Sequence, residues 1–293
     1  MKKLSFCLSF LALLALVGVA FAQEVAEESN FNWKPDLALT LDWQSRYVSK
    51  GKVVNPDPIA SVNVNVSLKG FYLNFWAPFD MTGYNNAVNL GNGVKVPYTN
   101  DRRYRAEEVD YQIGYAYTID ADNLGGLSDL TIDFSWNYWQ YPRQNFNWDG
   151  SHYHDEPLAL VVSLDNVLDK DSDFSLGFGT EACYDLKNYL WWGKVYGDLG
   201  YAVNEQISVG LKNTWYWGGE SFNKANGQGR HDAVNAAELK LYASYALTEN
   251  ISLGAYFAGA WALNPTTREA WDASCPDNRR QNFWGGVSID FCF

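Results

Sequence analysis

The last twelve residues of the chain, Asn282 to Phe293, read NFWGGVSIDFCF. Alternate side chains of a β-strand point to opposite faces. One face would carry Phe283, Gly285, Val287, Ile289, Phe291 and Phe293, and the other Trp284, Gly286, Ser288, Asp290 and Cys292. An apolar strand edge on a soluble protein invites aggregation, whereas the closing strand of a transmembrane barrel faces lipid. The stretch therefore predicts a membrane β-barrel, closed by pairing of its last and first strands.

The N-terminus has the pattern of a secretory signal peptide. Lys2 and Lys3 precede an apolar run from Leu4 to Val19, and Ala20-Phe21-Ala22 supplies small residues beside a cleavage point. The run is short for a transmembrane anchor, and no later stretch approaches the ~20 apolar residues that a membrane helix needs. We expect residues 1–22 to be a signal peptide, 23–35 a periplasmic segment and 36–293 the barrel.

Composition argues against three classes of protein. The chain has 34 acidic against 22 basic residues and a formal net charge of −12, which argues against nucleic acid as a partner. Aromatic residues make up 16% of the chain, too many for a disordered acidic protein. Three of its four cysteines follow the signal peptide, too few for a disulfide scaffold.

Twelve stretches of strand length show the alternation of apolar and polar residues that is typical of barrel strands. They lie at Leu37–Gln44, Ala60–Leu68, Gly70–Asp80, Val109–Ile119, Leu130–Tyr138, Leu158–Asp165, Phe174–Tyr184, Leu190–Ala202, Ile207–Trp217, Ala237–Leu247, Ile251–Trp261 and Asn282–Phe293. An antiparallel sandwich in water would alternate in the same way. The connections separate the two interpretations.

Short and long connections broadly alternate along the chain. Strands meet tightly at Lys69-Gly70 and Glu249-Asn250, whereas Met81–Arg105 and Gly218–Ala233 are long. Outer-membrane barrels have short periplasmic turns and longer external loops. Two aromatic girdles are also expected, as membrane interfaces require. Trp43, Trp136, Trp191, Trp215, Trp217 and Trp261 would form the outer girdle, and Tyr117, Tyr201, Tyr245 and Phe293 the inner one.

Three elements in the first third of the chain resemble a family. They are Ser45-Arg46-Tyr47-Val48-Ser49-Lys50-Gly51, Gly70-Phe71-Tyr72-Leu73-Asn74-Phe75-Trp76 and Glu108-Val109-Asp110-Tyr111. Similar elements occur in uncharacterised Gram-negative outer-membrane proteins that are often described as porins, with an arginine where this chain has Lys50. The resemblance implies an outer-membrane location and a barrel fold, and it implies no substrate.

The alternation also predicts which charged side chains face the lumen. The candidate pore-lining residues are Asp42, Arg46, Glu108, Asp110, Asp133, Asp165, Glu181, Lys194, Asp198, Lys212, Glu238, Lys240 and Asp290. Small inward residues would leave room for water: Ser175, Gly177, Gly179, Gly210, Gly254, Ala258, Gly286 and Ser288. Barrels of about eight strands are filled by side chains, and barrels of sixteen or more strands contain open channels. Twelve strands lie between these sizes, so the sequence is compatible with a conducting pore and with a plugged barrel.

The loops carry further candidates. Arg102-Arg103-Tyr104-Arg105 has the charge to bind lipopolysaccharide phosphates or to act as an anion filter, and a solvated loop face is the plain alternative. His152, His154 and Asp155, with His231, are residue types that bind metals, but two neighbouring loop histidines are weak evidence, and we assign no metal and no cofactor. Cys183 and Cys275 would lie at the same end of the barrel, where we expect a disulfide.

These features favour a passive channel for small hydrophilic solutes in the outer membrane of a Gram-negative bacterium. The excess of lumen carboxylates favours the passage of cations over anions. A non-conducting structural or adhesion barrel, or a lipid-modifying enzyme, are the alternatives, and no histidine lies in a predicted strand to serve as the enzyme's base. The expected partners are membrane lipid, lipopolysaccharide and the barrel-assembly machinery. The last of these is expected because the C-terminal Phe293 resembles its recognition signal.

The strand order predicts the topology. Tags placed in Met81–Arg105 or Gly218–Ala233 should react with an impermeant biotin label on intact cells, because these loops are expected outside. A tag in Asn166–Ser172 should stay unlabelled until the outer membrane is opened. Labelling in the reverse pattern would contradict the topology.

Overall fold

The structure is a computed structural model. It describes residues 34–81, 87–89, 95–97, 108–124, 128–141, 154–168, 172–225, 232–274 and 280–293. The predicted signal peptide and all but the end of the 23–35 segment lie outside these residues.

Twelve long antiparallel strands form a closed barrel, which confirms the predicted fold. Their bounds are β1 Asp36–Gln44, β2 Ile59–Leu68, β3 Phe71–Asp80, β4 Val109–Ile119, β5 Leu130–Gln140, β6 Pro157–Leu164, β7 Phe174–Asp185, β8 Leu190–Ala202, β9 Ile207–Gly218, β10 Ala233–Ala246, β11 Ile251–Ala262 and β12 Gln281–Cys292. Each strand pairs with the next, and β12 pairs with β1 in a register that places Leu41 opposite Ile289. The expected start of β10 at Ala237 is wrong by four residues, because a bulge opposite Tyr216 and Trp217 lets the strand continue back to Ala233.

The connections define two ends. We call the end at which β1 connects to β2, β3 to β4, β5 to β6, β7 to β8, β9 to β10 and β11 to β12 the mouth, and the other the short-turn end. Small elements lie within these connections. They are a hairpin of Tyr47–Ser49 and Lys52–Asn55, strands Ala87–Asn89 and Lys95–Pro97, the pair His154–Asp155, helix α1 Glu220–Ala225 and helix α2 Pro265–Ser274. A 3-10 turn, Ala121–Leu124, lies at the short-turn end. Within the described part of the chain, no helix has the length and apolarity needed to cross a membrane.

The outward face of the barrel is apolar. In the twelve described strands, the outward positions carry no charged side chain, and large residues such as Phe71 (65% exposed), Leu241 (58%) and Phe257 (58%) project from the wall. The expected aromatic residues lie on this face. Trp43, Trp136, Trp191 and Trp215 are exposed toward the mouth, and Tyr117, Tyr201, Tyr245 and Phe293 toward the short-turn end. A continuous exposed surface of this kind is unfavourable in water.

On the inward face, tyrosine rings cover glycines of the neighbouring strand. Tyr72 lies over Gly114, Tyr196 over Gly179, Tyr242 over Gly210 and Tyr256 over Gly286, each pair being direct cross-strand partners. The expectation that Gly179, Gly210 and Gly286 leave room for water is therefore wrong, because these rings fill the space. Such pairing is how aromatic side chains compensate for glycine in a sheet.

The tyrosine cover predicts a specific cost at Gly210. A Cβ there would lie 2.2 Å from the Tyr242 ring, whose hydroxyl donates a 2.7 Å hydrogen bond to Asp198. Gly210→Ala should displace the ring, break this bond and lower the free energy of unfolding by about 1.5–3 kcal/mol, measured by urea titration in lipid vesicles. In a Tyr242→Ala background the same substitution should be nearly neutral. An equal cost in both backgrounds would contradict the steric explanation.

Candidate functional site

The lumen contains a polar cavity of about 500 Å³. It is lined by Thr40, Asp42, Gln44, Ser61, Asn63, Asn74, Trp76, Asp110, Gln112, Asn137, Trp139, Lys240, Tyr256 and Ser288. These side chains come from the inward positions of β1 to β5 and of β10 to β12. A cavity of this size and polarity holds several water molecules or one small hydrophilic solute.

Three lysines lie on inward positions of adjacent strands, and one of them, Lys240, lines the cavity. Lys194 on β8 forms an ion pair of 2.7 Å with Glu181, and Lys212 on β9 lies 3.8 Å from Asp198. Lys240 on β10 is the direct cross-strand partner of Lys212. The Nζ atoms of Lys212 and Lys240 also lie 4.1 Å from the ring centroids of Tyr196 and Tyr256, respectively. Ion pairs and aromatic contacts therefore hold these cations against the wall.

The lumen carboxylates are also hydrogen-bonded. Tyr72 donates to Asp133 at 2.8 Å, and Gln112 links this pair to Ser135. Elsewhere Tyr216 donates to Glu238 at 3.0 Å and Thr40 to Asp290 at 2.7 Å. Each of these inward carboxyl groups therefore has a hydrogen-bond donor inside the barrel.

The structure brings most of the predicted lumen residues together. Asp42, Asp110, Asp133, Glu181, Lys194, Asp198, Lys212, Glu238, Lys240 and Asp290 all lie on inward positions of the strands. Asp165 is the exception that contradicts the sequence expectation, since it lies in the turn after β6. Arg46 lies in the bend after β1, and Glu108 lies just before β4 at the mouth.

Other candidates lie wholly or partly outside the described residues. Arg102, Arg103 and Arg105 are among those not described, as are His152, His231 and Cys275. Cys183 is a free thiol on the inward face, with its Sγ atom 3.3 Å from Glu181 Oε1, so the disulfide with Cys275 stays a prediction. Among the described residues, no group of three metal-binding side chains comes together.

At the mouth, the Tyr47–Asn55 hairpin folds into the barrel. Tyr47 donates a hydrogen bond of 2.5 Å to Glu108, and its ring packs 5.7 Å from that of Trp76. At the tip, Gly51 has φ +81° and lies against Trp271, and its carbonyl accepts a 2.9 Å bond from the Asn282 amide. The hairpin thus contacts Trp76 and Glu108 on one side of the lumen and Trp271 and Asn282 on the other.

Lys50, next to Gly51, reaches the other wall. Its Nζ atom lies 5.2 Å from the ring centroids of both Trp139 and Trp192. The sequence did not predict this arrangement. The sequence did contain a signal for it, because the residues that meet here come from the three elements that carry the family resemblance. The first element supplies Tyr47 and Lys50, the second Trp76 and the third Glu108.

Two helices also fold into the mouth. Trp271 of α2 is fully buried against Ala236, Ala258, Ala260, Ala262 and Trp284. The expectation that Ala258 leaves room for water is therefore wrong, because this small-residue patch receives an indole. Elsewhere in the mouth, next to β8, Phe222 of α1 packs against Trp192 with ring centroids 5.2 Å apart. The mouth is narrowed from three directions.

Burial changes the titration of the hairpin anchor. It raises the pKa of the Glu108 carboxyl, and the hydrogen bond from Tyr47 opposes part of that rise. Burial also raises the pKa of Tyr47 well above its ordinary value, and the nearby Glu108 charge adds to the effect. The Tyr47 hydroxyl therefore keeps its proton and acts as the donor. At the same rim, burial raises the pKa of Asp155, against an opposing hydrogen bond from Tyr141.

The barrel is similar to solved porins. It matches the NanC porin at 14% sequence identity and a TM-score of 0.45, over 87% of this chain and 98% of that one. It matches the KdgM porin at 10% identity and a TM-score of 0.47, over 88% and 99%. It also matches Salmonella typhi OmpF, solved in complex with daunomycin, at 9% identity and a TM-score of 0.39, over 89% and 98%. No protein-family model and no curated protein matches the chain. At these values, nothing about the solutes of this chain follows from the likeness.

The Tyr47–Glu108 bond should control how firmly the hairpin is held. Tyr47→Phe leaves a buried carboxyl without its donor, at a cost of about 1.5–3 kcal/mol. We expect amide hydrogen exchange in residues 47–55 to speed up by about tenfold or more. Tyr72→Phe is the matched control, because it removes another tyrosine–carboxylate bond in the lumen, to Asp133, and should leave hairpin exchange unchanged. Equal effects of the two variants would show that the bond does not anchor the hairpin.

Proposed function

We propose that this protein is an outer-membrane channel for small hydrophilic solutes, with both termini in the periplasm. The observation that supports the location is the contrast between the two faces of the wall. Outward positions of the strands carry no charge and expose large apolar residues, while inward positions carry charged and hydrogen-bonded groups. A lipid bilayer favours this contrast, and water disfavours it.

The proposed partners follow from the location. Lipid contacts the apolar band, and the girdle residues lie at its two interfaces. Lipopolysaccharide phosphates are the proposed ligands of Arg102, Arg103 and Arg105, and the barrel-assembly machinery is the proposed partner of the C-terminal Phe293. The role is transport rather than catalysis.

We propose that the channel prefers cations. The lumen wall presents the carboxylates Asp42, Asp133, Glu181, Asp198, Glu238 and Asp290, against Lys194, Lys212, Lys240 and the inward-folded Lys50. Low-dielectric walls focus this negative potential along the axis and lower the barrier for cations. Lys50 offsets one of these lumen carboxylates, which still outnumber the four lysines among the described residues.

One observation favours a different function. The hairpin, α1 and α2 all occupy the mouth, and Trp271 is completely buried there. If together they seal the lumen, the barrel is a structural wall or adhesion protein without transport. Liposome swelling with sugars of graded size separates the two functions, since a sealed barrel admits no sugar.

Cation preference is tested by the reversal potential across a planar bilayer under a KCl gradient. We expect K⁺ to be preferred at low salt, and the preference to weaken near 1 M, where the Debye length falls to about 3 Å. Asp42→Asn combined with Asp290→Asn should reduce the preference, because Asp42 lines the cavity and Asp290 faces the lumen on the neighbouring strand. Asp122→Asn, in the exposed turn at the short-turn end, is the matched control and should have little effect. Chloride preference in the unmodified channel at low salt would overturn the proposal.

A further inference from the structure

Two indoles form an aromatic corner on the lumen wall. Trp139 of β5 and Trp192 of β8 have ring centroids 5.7 Å apart, with an angle of 44° between the ring planes. Lys50 Nζ lies 5.2 Å from each centroid. An ammonium group within about 6 Å of an indole face is attracted by its negative quadrupole, and tryptophan is the strongest partner. The corner therefore holds a primary alkylammonium group that belongs to the protein itself.

The corner does not depend on Lys50 for its shape. The two strands between Trp139 and Trp192 contribute the buried small residues Ala159 and Cys183, over which the indoles meet. Phe222 packs on the other side of Trp192 at 5.2 Å. The packing that positions both rings comes from the wall and from α1, so it persists when the lysine side chain is removed.

The electrostatic surroundings favour a cation at this position. The Lys50 charge interacts favourably with Glu108, Asp110, Asp155 and Glu181. Glu181 is already paired with Lys194, and Glu108 accepts from Tyr47. Asp110 shares a side-chain hydrogen bond with Glu108, and its Oδ1 atom is buried and has no hydrogen-bond partner. It lies on the same cavity wall as Trp139.

The Lys50 side chain can leave the corner without unfolding the hairpin. The hairpin tip is held through Gly51, by Trp271 and by the Asn282 amide, on the opposite side of the lumen. Lys50 reaches from there as a four-carbon chain with three rotatable donors. A solute amine that enters the cavity therefore competes with one side chain and not with the fold.

We propose that the Trp139–Trp192 corner is a binding site for primary alkylammonium solutes and that the Lys50 side chain occupies it in the resting barrel. The inference rests on the proposed function as a cation channel and names the class of solute that the channel binds. It is tested by binding, which does not require conduction.

The test removes the Lys50 side chain from the corner and supplies an alkylammonium of the same length from solution. Lys50 has φ +51°, a left-handed conformation that glycine adopts without strain, so Lys50→Gly empties the corner while keeping the backbone. The missing side chain corresponds to n-butylammonium. We expect this probe to bind the full-length, detergent-solubilised variant about tenfold or more tightly than the unmodified protein, as measured by calorimetry.

The matched control is Lys240→Ala. It removes one lumen lysine that also lies over an aromatic ring, Tyr256, and so makes the same change in net charge. We expect no comparable gain in n-butylammonium affinity. In the Lys50→Gly background, Trp192→Leu should abolish the gain, and n-butanol, which has the same chain without the charge, should show none. Lys50→Asn tolerates the same left-handed backbone and repeats the test if the glycine variant fails to fold.

Three results would overturn the inference: equal gains in Lys50→Gly and Lys240→Ala, a gain that survives Trp192→Leu, or an equal gain for n-butanol. Other results would refute the proposed channel function and not the binding site. A barrel that admits no sugar and carries no current, yet shows the specific gain in amine binding, would refute the channel and leave the site standing. A cation-selective channel without the gain would refute the site alone.

Discussion

The pairing of the first strand with the last is the constraint on which the rest of this structure depends. Leu37 and Phe293 exchange backbone hydrogen bonds of 3.2 and 2.9 Å, and Ala38 lies opposite Cys292. In an apolar surrounding, an unpaired strand edge would leave a row of amides and carbonyls unsatisfied, at several kcal/mol each. Closure removes that edge. It also encloses the inward face, so inward polar groups must find their partners inside the barrel.

The inward face meets this requirement with two recurring arrangements. Tyrosine rings lie flat over glycines of the adjacent strand, which fills the wall without crowding the axis. Their hydroxyls, as in Tyr72 and Tyr242, donate to carboxylates one or more strands away. Lysines on β8 to β10 complete the network. The lumen that results is polar at the wall and contains a cavity of about 500 Å³.

Much of this architecture follows from the sequence because a strand has a period of two residues. The alternation in Ala60–Leu68 or Leu130–Tyr138 assigns each side chain to a face without knowledge of its neighbours. The strand number, the girdles and the inward carboxylates were predictable for that reason. Strand ends were less so, since the bulge that extends β10 to Ala233 depends on the pairing with β9.

Only the tertiary structure decided which segments fold into the mouth of the barrel. The sequence placed Lys50 only within a family element and identified Ala258 as a small lumen residue, and both descriptions were incomplete. The side-chain period says nothing about where a connection folds once it leaves the wall. That choice depends on surfaces contributed by distant strands, such as the alanine patch that receives Trp271 and the indoles that face Lys50. The sequence by itself determined the barrel wall, because alternation is local, and the fold decided what fills the opening, because those contacts join residues far apart in the chain.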